Sequence, residues 1–528
     1  MKEKMQEPIE RVKVGDIMTA IPEWLDKLKQ RDDIESIDYG YTGRFMSCKC
    51  TMKNGLHFVF RDCEEMTLIA NVNMNFFMDT DHRLAKPGFT HFYEHMMFKR
   101  VKLKGKYVKS ETLNKKAADN GIRLNAFTSA EGIVVNTLVF PKELLRRKVD
   151  YIEEAAAYKK LMSYAPKSKN AFEDVQLLFD MVYGIAYDHK FVDEDVESEK
   201  RVVQSEIAMS RDDEWSLYVG SKKVISGDKY YDMLGRAEDI ENLTTQDCID
   251  FSNILIDGCT DTATRHVLTG NFKGIPEVID MWIDTMSKVV KKKEELLNYE
   301  FFNRQNDITF RKLGNSKVKV DGLEKRKGKK LLVEIPESKI SALDLYTEVN
   351  FNDKKWNKYN SMRTRVVLST LSNFMSGDLA SPLYKIFRER LGWTYKVGGV
   401  NRPIGMNSDR FLIGWEMIVG DHVPATMETL DKTKEVLDGI VMDEKLVKHL
   451  STTRRDAMLA SMDRMVYNGL DYPYSDNISL NMWNEFLMPL EDIKIEEWQY
   501  AWKTLLDSMY YIILHGTANK STEEMNDQ

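Results

Sequence analysis

The stretch His91-Phe92-Tyr93-Glu94-His95 organises the interpretation of this chain of 528 residues. Read as a helix, it places His91 and His95 one turn apart on a single face, with Glu94 beside the second histidine. Two neutral imidazoles at this spacing can both bind Zn²⁺ and leave room for water at the metal. A carboxylate next to that water can accept its proton and hand it to a leaving amine. The stretch therefore predicts metal-assisted peptide hydrolysis; the alternative is a helix whose histidines are only packed.

The order of these residues and their flanks make the pattern more specific. H-x-x-E-H reverses the commoner H-E-x-x-H arrangement. Gly88 precedes the helix, residues 91–98 read H-F-Y-E-H-M-M-F, and residues 125–129 read N-A-F-T-S. This combination resembles the pitrilysin/insulinase family of zinc peptidases, which includes mitochondrial processing peptidase. The resemblance implies a zinc-dependent endopeptidase with one Zn²⁺ per chain, in which His91 and His95 bind the metal and Glu94 is catalytic.

A third metal ligand is expected on a second helix at residues 197–209. The apolar residues Val202, Val203 and Ile207 define one face of that helix, and Glu199 and Glu206 fall on or beside it. A carboxylate there costs free energy unless it is paired or bound to a metal. The resemblance implies that Glu206 binds zinc and that Glu199 orients a histidine ligand or neutralises charge. For Glu199 a plain surface carboxylate is the alternative.

The distance along the chain between these ligands departs from the family pattern. His95 and Glu206 are 111 positions apart, whereas the family gap is roughly 75 residues. An insertion of about 35 residues is therefore implied, and residues 158–192 are the expected place for it. The helical run at 172–187 would then belong to a helical hairpin on the rim of the molecule.

The resemblance also assigns residues that contact the substrate. Asn125, Ala126, Phe127 and Thr128 would form the sheet edge to which an extended peptide adds as a further strand; an ordinary interior strand is the alternative. In the second half, residues 388–395 resemble the family pattern R-x-x-x-G-x-x-Y. Arg388 and Tyr395 would then stabilise the developing oxyanion, either in the same chain or in a partner chain. The alternative is a surface arginine and a strand aromatic.

The composition is that of an ordinary globular protein. Hydrophobic residues make up 43% and charged residues 30% of the chain, and the net charge is -7, so neither nucleic acid nor a membrane is expected as a partner. The N-terminus lacks an apolar signal segment and no long apolar run follows, which predicts a cytoplasmic location. The cysteines are few and lack metal-binding spacing, and we expect reduced thiols: Cys48, Cys50, Cys63, Cys248 and Cys259.

Strand and helix signals alternate along the first half. Strands are predicted at 45–52, 56–60, 67–77, 124–129, 132–140 and 264–270. Helices are predicted around 21–25, at 110–120, from 141 past 158, after 212 and at 275–289, with Thr90 capping the histidine helix and Thr244 or Thr245 capping a later one. Residues 291–330 read as a linker.

The same order of elements restarts after the linker. Strands are predicted at 331–335, 340–351, 394–400 and 411–419, and a helix at 361–375 has neither His nor Glu at the equivalent place. The predicted fold class is therefore α+β, with two homologous halves that each pack a mostly antiparallel sheet against helices. Residues 1–292 form the metal-binding half, 293–330 the linker and 331–528 a metal-free half. By resemblance, they form half of a clamshell chamber.

Two functions of different class are compatible with this pattern. The first is an active zinc endopeptidase that cleaves peptides or unfolded segments inside a chamber, as a homodimer or as a heterodimer with a similar subunit. The second is a catalytically silent scaffold or binding subunit of the same fold. Silent subunits tend to lose a ligand or the catalytic glutamate, whereas this chain has His91, Glu94, His95 and Glu206, which favours the active enzyme.

Overall fold

The computed structural model describes most of the chain. The described residues are 22–42, 45–63, 67–75, 86–129, 132–146, 171–210, 212–226, 233–260, 264–297, 329–376, 381–404, 407–454 and 493–518. Within these ranges no helix combines the length and the apolar character that crossing a bilayer requires.

A seven-stranded sheet forms the first half. Its strands are β1 (Ile34–Thr42), β2 (Phe45–Met52), β3 (His57–Asp62), β4 (Leu68–Asn75), β7 (Arg123–Ser129), β8 (Gly132–Val139) and β9 (Thr264–Gly270), and a separate hairpin consists of β5 (Arg100–Leu103) and β6 (Lys106–Lys109). The strand order is β1-β2-β3-β9-β4-β8-β7, so β7 is the last strand of the sheet. All neighbouring pairs are antiparallel except β3 and β9.

A five-stranded sheet in the second half repeats this arrangement. Its strands are β10 (Lys330–Ile335), β11 (Ser341–Asn350), β12 (Gly398–Ile404), β13 (Asn407–Val419) and β14 (Tyr510–Gly516). The order β10-β14-β11-β13-β12 has one parallel pair followed by three antiparallel pairs. The same sequence of pairings describes β3-β9-β4-β8-β7 in the first sheet. The expected repeat of the first half is therefore present in the topology, and the protein is α+β as predicted.

Helices surround both sheets. In the first half they are α1 (Glu23–Lys29), α2 (Phe89–Met97), α3 (Ser110–Asp119), α4 (Lys142–Arg146), α5 (Glu173–Tyr187), α6 (Asp193–Ser210), α7 (Asp213–Ser226), α8 (Ala237–Glu241), α9 (Thr245–Asp257) and α10 (Glu277–Leu297). In the second half they are α11 (Ser361–Phe374), α12 (Pro382–Tyr384) with a π-helical continuation Lys385–Arg390, α13 (Met427–Asp438) and α14 (Ile495–Ser508).

The helix α5 corrects one expectation from the sequence. The run at 172–187 is not a rim hairpin, because Leu178, Phe179 and Val182 are fully buried in the main core of the first half. Burying such side chains stabilises the fold by about 1.5–3 kcal/mol each, so α5 is a structural helix. An insertion at 158–170 lies outside the described residues.

The helix α7 connects the two halves. Its residues Leu217, Val224 and Ile225 pack in one cluster with Ile512 and Leu514 of the second sheet. The Ser221 hydroxyl also lies 3.2 Å from the Tyr346 hydroxyl. A helix of the first half therefore covers one face of the second sheet.

Smaller differences from the predicted elements have local causes. Strand β1 was not predicted, because its sequence IESIDYGYT mixes charged residues and glycine with few apolar ones. Helix α10 continues to Leu297, beyond the predicted linker start at 291. Tyr395 lies before β12 and not in a strand, since β12 begins at Gly398. The predicted cap Thr244 is confirmed by its bond from the Asp247 amide.

Candidate metal centre

Two left-handed glycines fix where the histidine helix α2 begins. Gly88 precedes Phe89 with φ 76° and is the N-cap, so the expectation that Thr90 caps this helix is wrong; Thr90 lies in the first turn. A Cβ atom on Gly88 would lie 2.5 Å from the Leu234 carbonyl oxygen, and one on Gly235 (φ 69°) would lie 2.7 Å from that of Pro87. No residue with a side chain fits at either position without moving the backbone.

The inner face of α2 is anchored in the core. Phe89, Phe92 and Met96 are buried, and the Tyr93 hydroxyl lies 3.1 Å from His189 Nε2. His189 Nδ1 donates to the Ile185 carbonyl, so Nε2 accepts hydrogen bonds from hydroxyl groups. Burial lowers the pKa of His189 to about 3, which keeps this imidazole neutral. The helix therefore cannot rotate without breaking a buried hydrogen bond.

His91 and His95 on the outer face of α2 lie close to Glu206 of α6. His91 Nε2 lies 3.3 Å from His95 Nε2, and the Glu206 carboxylate lies 3.6 Å from the first and 3.3 Å from the second. Two ligands about 2.0–2.1 Å from a tetrahedral zinc ion are about 3.3–3.4 Å apart. Among the described residues, His91, His95 and Glu206 form a group that could hold a metal ion, and we refer to this group as the cluster. Its donor set and spacing fit a tetrahedral zinc ion.

The electrostatic environment of the two histidines differs. Burial, and after it the neighbouring His95, lowers the pKa of His91 to about 4. Burial also acts to lower the pKa of His95, but the hydrogen bond with Glu199 and the surrounding carboxylates outweigh it and raise that pKa. A cation at this place would face two imidazole nitrogens and a carboxylate, which are ligands that Zn²⁺ takes in proteins.

Glu94 is next to the cluster and is held by the edge strand. The Thr128 hydroxyl of β7 donates to Glu94 Oε2 at 3.1 Å. Burial raises the pKa of the Glu94 carboxyl, and the nearby His95 and the Thr128 hydrogen bond act in the opposite direction. A carboxyl group with a raised pKa is a stronger base than an ordinary one and is therefore suited to take part in proton transfer. The contact between Thr128 and Glu94 was not predicted. The strand was expected to bind substrate through its backbone, and this expectation says nothing about its side chains.

Glu199 lies deeper than Glu206 on the same helix. It is 4% exposed, and its Oε1 accepts a hydrogen bond from His95 Nδ1 at 3.0 Å. Its other oxygen forms an ion pair with Lys99. Burial acts to raise the pKa of Glu199, but the hydrogen bonds with His95 and Lys99 lower it below its ordinary range. The predicted face of α6 needs one correction: Val202 is half exposed, and Val196 takes its place in the core.

The strand β7 has the position expected of a substrate-binding edge. It pairs with β8 on one side only, within the part of the chain that the structure describes. Thr128 faces α2, and by alternation Ala126 shares that face whereas Asn125 and Phe127 point to the other. The Phe127 side chain is 41% exposed. An incoming strand would therefore lie beside Thr128 and hence beside Glu94.

Arg388 and Tyr395 contact each other. Arg388 donates to the Tyr395 carbonyl at 3.2 Å and stacks on the rings of Tyr384 and Tyr395. Both line a cavity of about 1000 Å³ between α7 and the second sheet. Among the described residues, no hydrogen bond, ion pair or ring contact joins this pair to His91, His95 or Glu206.

One part of the chain is similar to a known protein family. Residues 82–222 match the family model "Insulinase (Peptidase family M16)". None of the curated proteins compared with the sequence matches it significantly.

Three similar solved structures share the fold at low identity. A protease from Helicobacter pylori is 14% identical with a TM-score of 0.60, over 88% of this chain and 98% of that one. A peptidase M16 inactive domain from Pseudomonas fluorescens is 13% identical with a TM-score of 0.60, over 90% and 99%. The periplasmic protease PqqL from Escherichia coli is 11% identical with a TM-score of 0.60, over 93% of this chain and 48% of that one.

These likenesses agree with the geometry of the first half. The residues matched by the family model, 82–222, include both helices that carry the cluster. The chain as a whole shares its fold with these solved structures. This fold is found both in proteases and in a domain described as inactive, so the activity has to be argued from the side chains.

Proposed function

We propose that this chain is a zinc-dependent endopeptidase that hydrolyses peptides or unfolded protein segments held as an extended strand. The observation that supports it most is the convergence of His91 Nε2, His95 Nε2 and the Glu206 carboxylate at separations of 3.3 to 3.6 Å. Such separations suit three ligands of one tetrahedral zinc ion and leave a fourth position open for catalysis.

His91, His95 and Glu206 would hold the zinc ion. When bound, zinc supplies Lewis-acid chemistry that makes a water molecule more acidic and polarises the peptide carbonyl. The remaining steps depend on side chains of the protein. Buried His91 stays neutral, because its pKa is lowered to about 4, and it therefore keeps a lone pair for the metal over the whole neutral range.

Glu94 would move the proton. Its Oε2 is held by Thr128, which leaves Oε1 to accept a proton from the attacking water. The raised pKa of this carboxyl helps it to keep that proton until the leaving amine needs it. Glu94 acts first as a base and then as an acid, so one residue serves both halves of the hydrolysis.

The substrate would bind along β7 by main-chain hydrogen bonds. Strand addition needs an unpaired edge and recognises the backbone, so it tolerates many sequences. Asn125, Ala126, Phe127 and Thr128 would form that edge, with Phe127 contacting a substrate side chain on the exposed face. The bond between Thr128 and Glu94 would align the scissile peptide with the proton-transferring group.

Arg388 and Tyr395 would stabilise the oxyanion from a second chain. A guanidinium and a phenol are suitable donors to developing negative charge, and Tyr395 is 78% exposed. Because the pair does not contact the cluster of its own chain, we propose that two such chains form the chamber.

The five cysteines are all buried free thiols, which supports a reducing compartment such as the cytoplasm.

The alternative is a catalytically silent subunit. It is favoured by the similarity to the domain from Pseudomonas fluorescens that is described as inactive. The complete set of zinc ligands together with Glu94 favours the active enzyme.

Metal content and hydrolysis of an unfolded protein test the proposal. We expect about one zinc per chain and cleavage that a chelator abolishes and added zinc restores. Glu94→Gln should keep the zinc and lose about 10²–10⁴-fold in rate, because an amide cannot accept the proton. A protein that binds zinc but cleaves nothing would support the silent subunit, and turnover by Glu94→Gln would contradict the mechanism.

A further inference from the structure

We infer that Lys99 is a positioning residue of the metal centre, which acts through Glu199 to hold His95 in the orientation that binds metal. The inference rests on the proposed function, since it concerns the same centre. His91 and His95 are four residues apart on α2, Lys99 lies in the turn that follows this helix, and Glu199 and Glu206 are seven residues apart on α6.

His91 and His95 lie one turn apart on α2, and Glu199 and Glu206 lie two turns apart on α6, so each pair shares one face of its helix. His91 and His95 meet Glu206, whereas His95 and Lys99 meet Glu199. The two helices therefore run in opposite directions where they touch, and Lys99 reaches Glu199 from the turn that follows α2. No metal contact is needed to explain its position.

The Glu199 carboxylate is buried and both of its oxygens are occupied. Oε1 accepts from His95 Nδ1 at 3.0 Å, and Oε2 pairs with the Lys99 ammonium group. Only 6% of the Glu199 side chain is exposed. A carboxylate at that depth is strongly unfavourable unless a positive charge compensates it. Lys99 supplies this charge and is itself 24% exposed.

The ion pair fixes the tautomer of His95. An ionised carboxylate only accepts hydrogen bonds, so the proton of neutral His95 must be on Nδ1. Nε2 then keeps its lone pair and faces His91 Nε2 and Glu206 Oε2, each at 3.3 Å. Without Lys99, the buried carboxylate would turn toward solvent and release Nδ1. His95 could then rotate or expose a protonated Nε2, which does not bind zinc.

Zinc affinity of purified Lys99→Met, measured by competition with a chromophoric chelator, tests this role. We expect zinc to bind about 10–100-fold more weakly, since this is the usual effect of losing a partner that orients a metal ligand. Lys99→Arg keeps the charge and should recover most of the affinity. Lys106→Met is the matched control, because Lys106 is exposed on β6, and its affinity should equal that of the wild type.

A second pair of variants separates positioning from general stability. In Glu199→Gln, the side-chain amide oxygen still accepts a hydrogen bond from His95 Nδ1, and the neutral amide needs no compensating charge. The affinities of Glu199→Gln and of Glu199→Gln/Lys99→Met should therefore be equal, which is the non-additivity expected of a coupled pair. This comparison stays valid if Lys99→Met folds poorly, because the double variant leaves no buried charge.

Two results would overturn the inference. One is wild-type zinc affinity in folded Lys99→Met. The other is a double variant that is weaker than Glu199→Gln by the same factor that Lys99→Met shows alone. Both leave the proposed function intact, whereas failure of the wild-type protein to bind zinc would remove the proposed function together with this inference.

Discussion

Three glutamates in one site differ in their surroundings although their chemistry is the same. Glu206 is partly exposed and faces two imidazoles, Glu199 is buried and paired with Lys99, and Glu94 is held by a hydroxyl of the edge strand. The proposed roles of ligand, orienting group and proton carrier follow from burial and partner and not from residue type.

The clearest prediction at the residue scale concerns Glu206. Glu206→Gln should weaken zinc binding by more than about 100-fold, because losing a ligand costs more than losing a partner that only orients one. Glu197→Gln is the matched control, since Glu197 is an exposed carboxylate on the same helix. Zinc per chain after gel filtration measures both. Unchanged zinc in Glu206→Gln would mean that the third ligand lies elsewhere.

At the scale of elements, the start of α2 depends on the contact between two glycine loops. Gly235→Ala should displace the chain at Pro87 and Gly88, because a Cβ atom would lie 2.7 Å from a backbone oxygen. We expect a loss of more than about 1–2 kcal/mol, the cost of the left-handed conformation alone, together with weaker zinc binding.

Gly121→Ala is the control for this contact. Gly121 has nearly the same φ of 70°, but no atom lies within 4 Å of the position that a Cβ atom would take there. It should lose only the conformational term of about 1–2 kcal/mol and bind zinc normally. Urea unfolding of the metal-free variants and chelator competition measure the two effects. Equal behaviour of both variants would show that the loop contact does not position α2.

The sequence predicted those helices and strands whose formation depends on the pattern of their own residues. The histidine helix, the strand at 264–270 and the repeat of strands in the second half follow from periodicity and are present. Strand β1 and the central place of α5 depend on neighbours that are distant in sequence, so no local pattern indicated them. The approach of His91 to His95 could be predicted from their spacing, whereas the contact between Thr128 and Glu94 and that between Gly88 and Gly235 depend on tertiary packing.

On the scale of the whole molecule, the proposal that Arg388 acts from a second chain leads to a prediction about assembly. If two chains share each site, Glu94→Gln still supplies Arg388 and Arg388→Ala still supplies the metal centre. After complete subunit exchange at equal amounts, the mixture should recover about a quarter of wild-type activity, since half of the dimers then have one sound site of two.

A second mixture controls for this recovery. Glu94→Gln and Glu206→Gln each inactivate the first half of their own chain, so no dimer of these two variants contains a sound site in any arrangement. Peptide hydrolysis before and after exchange measures both mixtures, with exchange followed by mass-tagged subunits. If the first mixture also stays inactive although exchange occurs, Arg388 acts within its own chain; if Arg388→Ala is active by itself, Arg388 has no catalytic role.

Helix α7 belongs to the first half and packs on Ile512 and Leu514 of the second sheet. The two halves are therefore held together by this packing as well as by the chain that connects them. A protease cut between residues 297 and 329 would leave a nicked protein whose fragments stay associated. Either fragment produced alone would expose apolar side chains that its counterpart normally covers, and it would tend to aggregate. The two halves therefore pack against each other and do not behave as independent domains joined by a linker.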